Sequence, residues 1–251
     1  ESKNFDLTEW KYIVTVALGE TEVKCTLGCE LGEMNQMSQT KGQFKIKCDS
    51  NLNAEFRPTK KSLDQLLKLA RTLEKTFVQS NCVNLDSLCL LKDKLAWNLL
   101  CNVEVVNNSG SINFCCSIAI LVCLQFFKLP STLIEINDKA SVIIKDPRIE
   151  LPVPLSIMHH PLIINCCIFQ NQNDIKFFYD PTNLEEYMAD GIYAFSLNNL
   201  PEICASSLSG HIALDDVTIK KMCDKAFSIY LQIMQQIETI IEKMKNKLTF
   251  E

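Results

Sequence analysis

The sequence predicts an α+β protein in which a set of strands is followed by a helix, twice over. Three observations indicate this fold class. Short runs with alternating apolar residues recur in both halves of the chain, a wholly apolar helix closes the first half, and a long amphipathic helix closes the second. The chain has 251 residues, of which 47% are hydrophobic and 22% charged. It is therefore long enough for one large domain or two ordinary ones, with a sizeable core.

Strands are predicted wherever β-prone residues alternate between turn signals. Residues 11–31 form a predicted hairpin, because two such runs flank Gly19-Glu20-Thr21. A long strand is centred on Trp97. The full set of predicted strands after the hairpin is 44–48, 95–106, 132–136, 141–145, 162–169, 175–179, 190–196 and 202–208.

Three helices are predicted from apolar spacing and end signals. The first follows Pro58, has Ser62 as its N-cap and extends to about Val78. The second covers Asn113 to Lys128 and stops before Pro130. The third is capped by Asp215 and Asp216 and reaches roughly Leu248. We place the boundary between two lobes at Pro130, giving residues 1–130 and 131–251; the proline-rich segment 146–154 is the alternative boundary.

Composition excludes several classes of protein. The net charge of -5 gives no global basic footprint for nucleic acid. None of the 13 cysteines forms a C-x-x-C motif, so we expect reduced thiols that act as small hydrophobes. The N-terminus shows no signal peptide, and the apolar run 115–127 is shorter than the roughly 20 residues of a membrane helix. We therefore expect a soluble, intracellular protein.

Few residues suggest catalysis. The histidines are expected to pack or hydrogen-bond locally, because neighbours on a strand point to opposite faces and cannot easily share a metal. They are His159, His160 and His211. Four clustered carboxylates could hold Mg²⁺ or transfer protons, although a solvated acidic loop is the simpler interpretation. They are Asp180, Glu185, Glu186 and Asp190. No catalytic residue, metal site or cofactor is predicted.

The first predicted helix carries a basic face opposite its leucines. At 100° per residue its four cations fall within about 80° of one another. This basic face consists of Lys61, Lys68, Arg71 and Lys75. Two interpretations remain open: a solvated surface with an ordinary Asp64–Lys68 pair, or a set of contacts to the phosphates of a nucleic acid. The pattern alone favours the solvated surface.

The segment NNSGSINFCCSIAILVCLQFFKLP (107–130) combines a polar turn with a buried helix. A tight turn that delivers backbone N–H groups to an anion has this shape. A phosphate site would also need a hydroxyl or a cation, and the turn continues through Ile112 and Phe114. The residues therefore fit either a phosphate site or a turn kept for packing.

Several segments together resemble the RNase PH family. The segment KLAWNLLCNVEVVNNSGSINFCCSIAILVCLQFFKLP is similar to the family's Trp-bearing strand, Asp-Gly turn and buried helix. The segments LPVPLSIMHHP, FYDPTNLEEYMADG and ICASSLSG follow in the family's order. The resemblance is strongest to RNase PH-like ring subunits of the eukaryotic RNA exosome, in particular the 45-type branch. It implies an RNase PH-like fold of duplicated β-α lobes with mixed sheets, packed helices and a long C-terminal helix.

The resemblance also implies that the family's chemistry is lost. Phosphorolytic members have Asp-Gly-Gly-Thr-Arg-Thr at the turn, and the Thr and Arg hold the attacking phosphate. This chain has no cation there, and the apolar Ile112 and Phe114 would exclude phosphate. The essential acid is replaced by Ile192, two residues after Asp190. The degenerate phosphate site thus comprises Ser109, Gly110, Ser111, Ile112, Asn113 and Phe114.

In related ring subunits an arginine pair on the first helix contacts RNA in the central channel. Arg71 and Lys75 match that pair, although lysine lacks the bidentate fork of arginine. Lys68 and Lys61 extend the same face. The resemblance therefore makes phosphate contacts the preferred interpretation of the basic face.

The implied function is that of a non-catalytic structural subunit supporting 3′–5′ RNA degradation and processing. The implied partners are other RNase PH-like subunits in a hetero-hexameric ring, cap subunits, a hydrolytic nuclease subunit and single-stranded RNA, without a membrane. The implied locations are the nucleus, nucleolus and cytoplasm. Two alternatives remain: an active phosphorolytic exoribonuclease, and an interaction module that binds no RNA.

Overall fold

The first sheet is built from the first 107 residues of the chain. A computed structural model describes residues 10–33, 41–50, 60–92, 94–136, 140–145, 150–171 and 174–248. The sheet has the order β1-β2-β5-β3, with β4 also paired to β5. Strand β3 runs parallel to β5, and the other pairs are antiparallel. The strands are β1 (Lys11–Leu18), β2 (Thr21–Glu33), β3 (Gln43–Ser50), β4 (Cys89–Leu91) and β5 (Leu95–Asn107).

The second sheet lies later in the chain and its pairs are antiparallel. Two short ribbons precede it: β6 (Lys128–Leu129) with β9 (Val153–Pro154), and β7 (Thr132–Ile136) with β8 (Ala140–Ile144). The sheet has the order β11-β10-β12-β13. Its strands are β10 (Leu162–Asn171), β11 (Asp174–Tyr179), β12 (Gly191–Leu197) and β13 (Ile203–Gly210).

The apolar helix α2 (Ile112–Phe126) packs between the two sheets. One side of it, including Cys116 and Ile120, belongs to the apolar cluster under the first sheet. Another side, including Leu121, belongs to the cluster under the second sheet. A helix that is apolar all round must be buried all round, and this position explains why α2 has no polar face.

The other helices cover the outer sides of these clusters. Helix α1 (Lys60–Leu73) continues as a π-helical turn (Glu74–Gln79) and packs near β3. Helix α4 (Asp216–Leu248) has 33 residues, which corresponds to about 50 Å of helix. It packs against β10 and β12. The short helix α3 (Asn183–Met188) connects β11 to β12. None of these helices is long and apolar enough to cross a bilayer, as far as the described residues go.

Most predicted elements are confirmed, with shifts at their ends. Ser62 is not an N-cap, because α1 already includes Lys60. Helix α2 ends at Phe126 rather than Lys128, since Lys128 and the following leucine pair with strand β9 instead. Of the two predicted caps of α4, Asp215 is confirmed, because its carbonyl accepts the amide of Ile219, whereas Asp216 is the first residue of the helix itself. The two-lobe division at Pro130 stays a prediction.

The cysteines behave as predicted from their apolar surroundings. All 13 are free thiols, and nine of them are buried. Cys25 and Cys101 approach within 3.5 Å, sulfur to sulfur, inside the first apolar cluster. Burial raises the pKa of Cys82 to about 12, so its thiol stays protonated at neutral pH. These side chains contribute packing.

Candidate functional site

The turn before α2 is held against a distant segment of the chain. Ser111 adopts a left-handed conformation (φ 49°), and Gly110 has a φ of 123°. Gly110 pairs with Thr182 as an isolated bridge, and the Ser109 carbonyl accepts the Asn183 amide at 2.9 Å. A Cβ at Gly110 would lie only 2.4 Å from the Pro181 carbonyl oxygen. Only glycine fits this close approach of two backbones.

The β1–β2 hairpin supports the same turn from the other side. The buried Thr21 hydroxyl donates to the Gly110 carbonyl at 2.9 Å and accepts the Ser109 amide at 3.1 Å. The Ser111 hydroxyl donates to the Pro181 carbonyl at 3.2 Å. The polar groups of the turn are thus directed to protein partners.

The carboxyl group of Glu186, a residue of α3, lies at the amino end of α2. Its Oε1 accepts the backbone amide of Ser111 at 3.0 Å. Burial raises the pKa of Glu186, while hydrogen bonds from the Ser111 amide and the Asn165 side chain oppose that rise. A helix N-terminus favours an anion through its free N–H groups and its dipole. Here one of those groups is already bound to the chain's own carboxyl group.

The side chains of the residues that follow the turn lie in two different places. Ile112 and Asn113 line a cavity of about 230 Å³ that also contains Ile192. Asn113 donates from its side chain to Asn165 Oδ1 at 3.2 Å. Phe114 packs instead against the apolar cluster under the second sheet. The structure therefore brings Ile112, Asn113 and Ile192 together, and directs Phe114 elsewhere.

The basic face of α1 borders this cavity. Lys68 lines it, and Lys68, Arg71 and Lys75 line a second, adjacent cavity of about 130 Å³. All three cations are exposed, whereas Leu73 and Phe77 on the other side of the helix are fully buried. Within the described part of the chain, none of these three cations forms an ion pair with a carboxylate. The Lys61 side chain lies outside the described residues.

One of the three histidines, His159, makes a side-chain contact of the predicted kind. His159 is buried, and its Nε2 lies 2.9 Å from the Ser80 carbonyl oxygen. Burial lowers the pKa of His160, whose carbonyl accepts the Tyr230 hydroxyl at 2.8 Å. Among the described residues, no group of three or more potential ligands is placed to hold a metal.

The acidic loop is where the sequence interpretation was wrong. It treated Glu185 and Glu186 as parts of a solvated loop, but both belong to α3. Glu185 closes a capping box with Thr182, whose amide it accepts at 2.8 Å. The spacing Thr-x-x-Glu is a helix-start signal that was available in the sequence. No local signal places Glu186 at α2, because Ser111 lies 75 residues away.

Comparisons with known proteins agree with this fold. Residues 13–130 match the 3′ exoribonuclease family, domain 1 (RNase PH). The chain is 29% identical over 233 residues to exosome complex component RRP45 of Danio rerio and, equally, of Homo sapiens. These matches cover 92% of this chain but only 58% and 51% of the relatives' lengths. An archaeal exosome core structure superposes with a TM-score of 0.70 at 16% identity, covering 91% of this chain and 86% of that one.

The structural match shows the fold, and the match to the family model covers residues 13–130, which is just under half of the chain. The alternating strands, the buried helix α2 and the turn before it all lie within or at the edge of the matched range. Residues 13–130 are therefore similar to domain 1 of the 3′ exoribonuclease (RNase PH) family, and the fold is that of the archaeal exosome core.

Proposed function

We propose that this chain is a non-catalytic structural subunit of an exosome ring of RNase PH-like chains. In that ring it supports 3′–5′ RNA degradation and processing, and the basic face of α1 contacts the phosphates of single-stranded RNA. The observation that carries the proposal is the bond from the Ser111 amide to Glu186. By the resemblance, this turn corresponds to the one that holds the attacking phosphate in phosphorolytic relatives, and here a carboxyl group of the chain takes one of its amides.

Three further features support the proposal that this chain does not catalyse RNA cleavage. Phosphate as a nucleophile needs positive charge to neutralise it, and no residue of the segment 109–114 is a cation. Ile192 cannot protonate a leaving group or bind a metal. The Asp190 carboxylate already accepts the Gln170 amide at 2.8 Å. On this proposal, the segment 109–114 is a packed turn that lacks the side chains phosphorolysis needs.

The proposed contact with RNA depends on the positive charge of the basic face of α1. Lys68, Arg71 and Lys75 are exposed on one side of a helix anchored by its buried leucines and Phe77. Exposed cations on a rigid helix can follow a nucleic-acid backbone without reading its bases. The relatives' names, exosome complex component, support a place in such an assembly. The partners that the resemblance implies are other RNase PH-like ring subunits, cap subunits and a hydrolytic nuclease subunit. Such an assembly would act in the nucleus, nucleolus and cytoplasm.

Purification of the tagged chain from its native cell tests the assembly. We expect other RNase PH-like chains to be recovered with it in equal amounts. A chain recovered alone, or with partners that share no such fold, would contradict the proposal.

An RNA-cleavage assay tests the absence of chemistry. The purified chain is incubated with end-labelled single-stranded RNA, with and without phosphate and Mg²⁺. We expect no release of nucleoside diphosphates or monophosphates. Release that is abolished by Asp190→Ala but not by Asp180→Ala would show an active site in this chain and favour the phosphorolytic alternative.

A further inference from the structure

The cavity of about 130 Å³ beside the basic face lies between the two halves of the fold. Its outer wall is the last two turns of α1 and the start of the π-helical turn. Its inner wall is one face of the second sheet. The lining residues are Lys68, Arg71, Thr72, Lys75, Ile163, Ala194, Ser196, Ala205, Ser206 and Ser207. It is distinct from the cavity that holds Ile112 and Ile192, although Lys68 borders both.

The lining carries positive charge without compensation. Three of its residues are cations and none is a carboxylate, in a chain whose net charge is -5. Cations that converge on a concave surface attract an anion more strongly than the same cations on a flat one. The cavity also exceeds the roughly 30 Å³ that a water molecule occupies in the liquid, so it can accept a larger group.

The inner wall contains a hydroxyl that lacks a partner. Ser196 is 2% exposed, and its Oγ makes no hydrogen bond with the described residues. It lies on β12 opposite Ala205 of β13, and Ser207 is the next residue on the same face of β13. A buried hydroxyl without a hydrogen bond costs about 1–3 kcal/mol. Such a group is commonly satisfied by a ligand or an ordered water.

We propose that this cavity is a binding site for a single phosphate group. The Ser196 hydroxyl donates a hydrogen bond to a phosphate oxygen from the inner wall. Lys68, Arg71 and Lys75 neutralise the phosphate from the outer wall. Oxyanions combine a need for charge with a need for hydrogen-bond donors, and these residues supply both.

Two sources can supply that phosphate: a phosphodiester of RNA or free inorganic phosphate. The RNA source rests on the proposed function, whereas the site itself does not. An RNA strand that follows the basic face would place one backbone phosphate in the cavity and leave its neighbours on the exposed cations. The site would then fix the register of the backbone relative to α1.

Calorimetric titration of the full chain at low ionic strength tests the site. One arm uses inorganic phosphate and the other a short oligouridylate. A hydrogen bond to a charged group contributes about 1.5–3 kcal/mol. We therefore expect Ser196→Ala to weaken the binding of each anion that the wild-type chain binds by about tenfold or more. Arg71→Ala should weaken it similarly. The controls are Ser228→Ala and Lys220→Ala on α4, which lie outside the cavity lining and should leave the affinity unchanged.

Stability of the free chain separates a binding role from a structural one. Ser196 loses no hydrogen bond to the described residues when its hydroxyl is removed. Ser196→Ala should therefore unfold at the same denaturant concentration as the wild type, or at a higher one, in the absence of phosphate. A large loss of stability would show that the hydroxyl has a structural partner and would contradict its assignment as a ligand.

The outcomes distinguish this site from the proposed function. Phosphate binding that depends on Ser196, without oligouridylate binding, would support the site and contradict the RNA role. Oligouridylate binding that depends on Arg71 and Lys75 but not on Ser196 would support the RNA role and overturn the site. The absence of saturable binding of either anion by the wild-type chain would also overturn the site.

Discussion

The backbone amide of Ser111 donates a hydrogen bond to Oε1 of Glu186 over 3.0 Å. This bond joins the amino end of the central helix α2 to the short helix α3, 75 residues later in the sequence. It places a carboxyl group where the helix dipole would otherwise favour a bound anion.

Glu186→Gln should change how stability depends on pH. Burial raises the folded-state pKa of Glu186 above its unfolded value of about 4.3. The stability that this carboxyl contributes is thus fully present below about pH 4.3 and is lost as pH rises through the folded pKa. Glutamine keeps an oxygen acceptor and does not ionise. We expect the variant to match the wild type at low pH and to be more stable at neutral pH, in urea unfolding across a pH series.

Glu185→Gln is the matched control with the opposite sign. Hydrogen bonds from the Thr182 amide and side chain lower the pKa of the exposed Glu185. Its contribution is present above the unfolded pKa and is lost as pH falls through the folded pKa. This variant should therefore be less stable than the wild type at neutral pH and equal to it at low pH. Parallel pH profiles for the two variants would contradict the roles given to both carboxyl groups.

Gly110→Ala should destabilise the protein strongly. The residue has a φ of 123°, and the new Cβ would lie 2.4 Å from the Pro181 carbonyl oxygen and 2.7 Å from the Asn183 nitrogen. The strained conformation alone costs about 1–3 kcal/mol, and the clash adds to it. Gly28→Ala is the control, because its Cβ would meet no atom closer than 3.4 Å. Equal denaturation midpoints for the two variants would show that the turn does not press against residues 181–183.

Phe77→Ala should cost about 3–5 kcal/mol of unfolding free energy, as other buried aromatic truncations do. Phe77 is fully buried in the cluster under the first sheet and anchors the end of the α1 segment. Leu67→Ala, on the exposed side of α1, should change stability by about 0.5 kcal/mol or less, because Leu67 is 55% exposed. Similar losses for both variants in urea unfolding would mean that α1 is not oriented as described.

Local pattern was enough to predict most of the elements. The hairpin about Gly19, the strand around Trp97 and the long helix α4 follow from alternation, turn residues and helical spacing. The apolar helix α2 was also predicted, because a run of 13 residues of low polarity has the length of a buried helix. What these patterns could not give was the position of α2 between two sheets, which depends on contacts between distant segments.

The candidate site was less predictable than the fold. The loss of the family's cation and acid is implied by the resemblance at Asn113 and Ile192 and stays a prediction, whereas the basic face follows from helical spacing. The role of Glu186 was missed because hydrogen bonds across 75 residues leave no local pattern. Ser196 was missed for a related reason: its hydroxyl is notable only because the surrounding sheet buries it without a partner.

RNA binding across a salt series tests the central claim most directly. Rings that contain the wild-type chain are compared with rings that contain Arg71→Ala and Lys75→Ala together. Two lost phosphate contacts to a single strand should lower the slope of log affinity against log salt by about 0.7 per contact, with a similar loss for every RNA sequence. An unchanged slope and affinity would show that the basic face is solvated surface, and would contradict the RNA role of this chain.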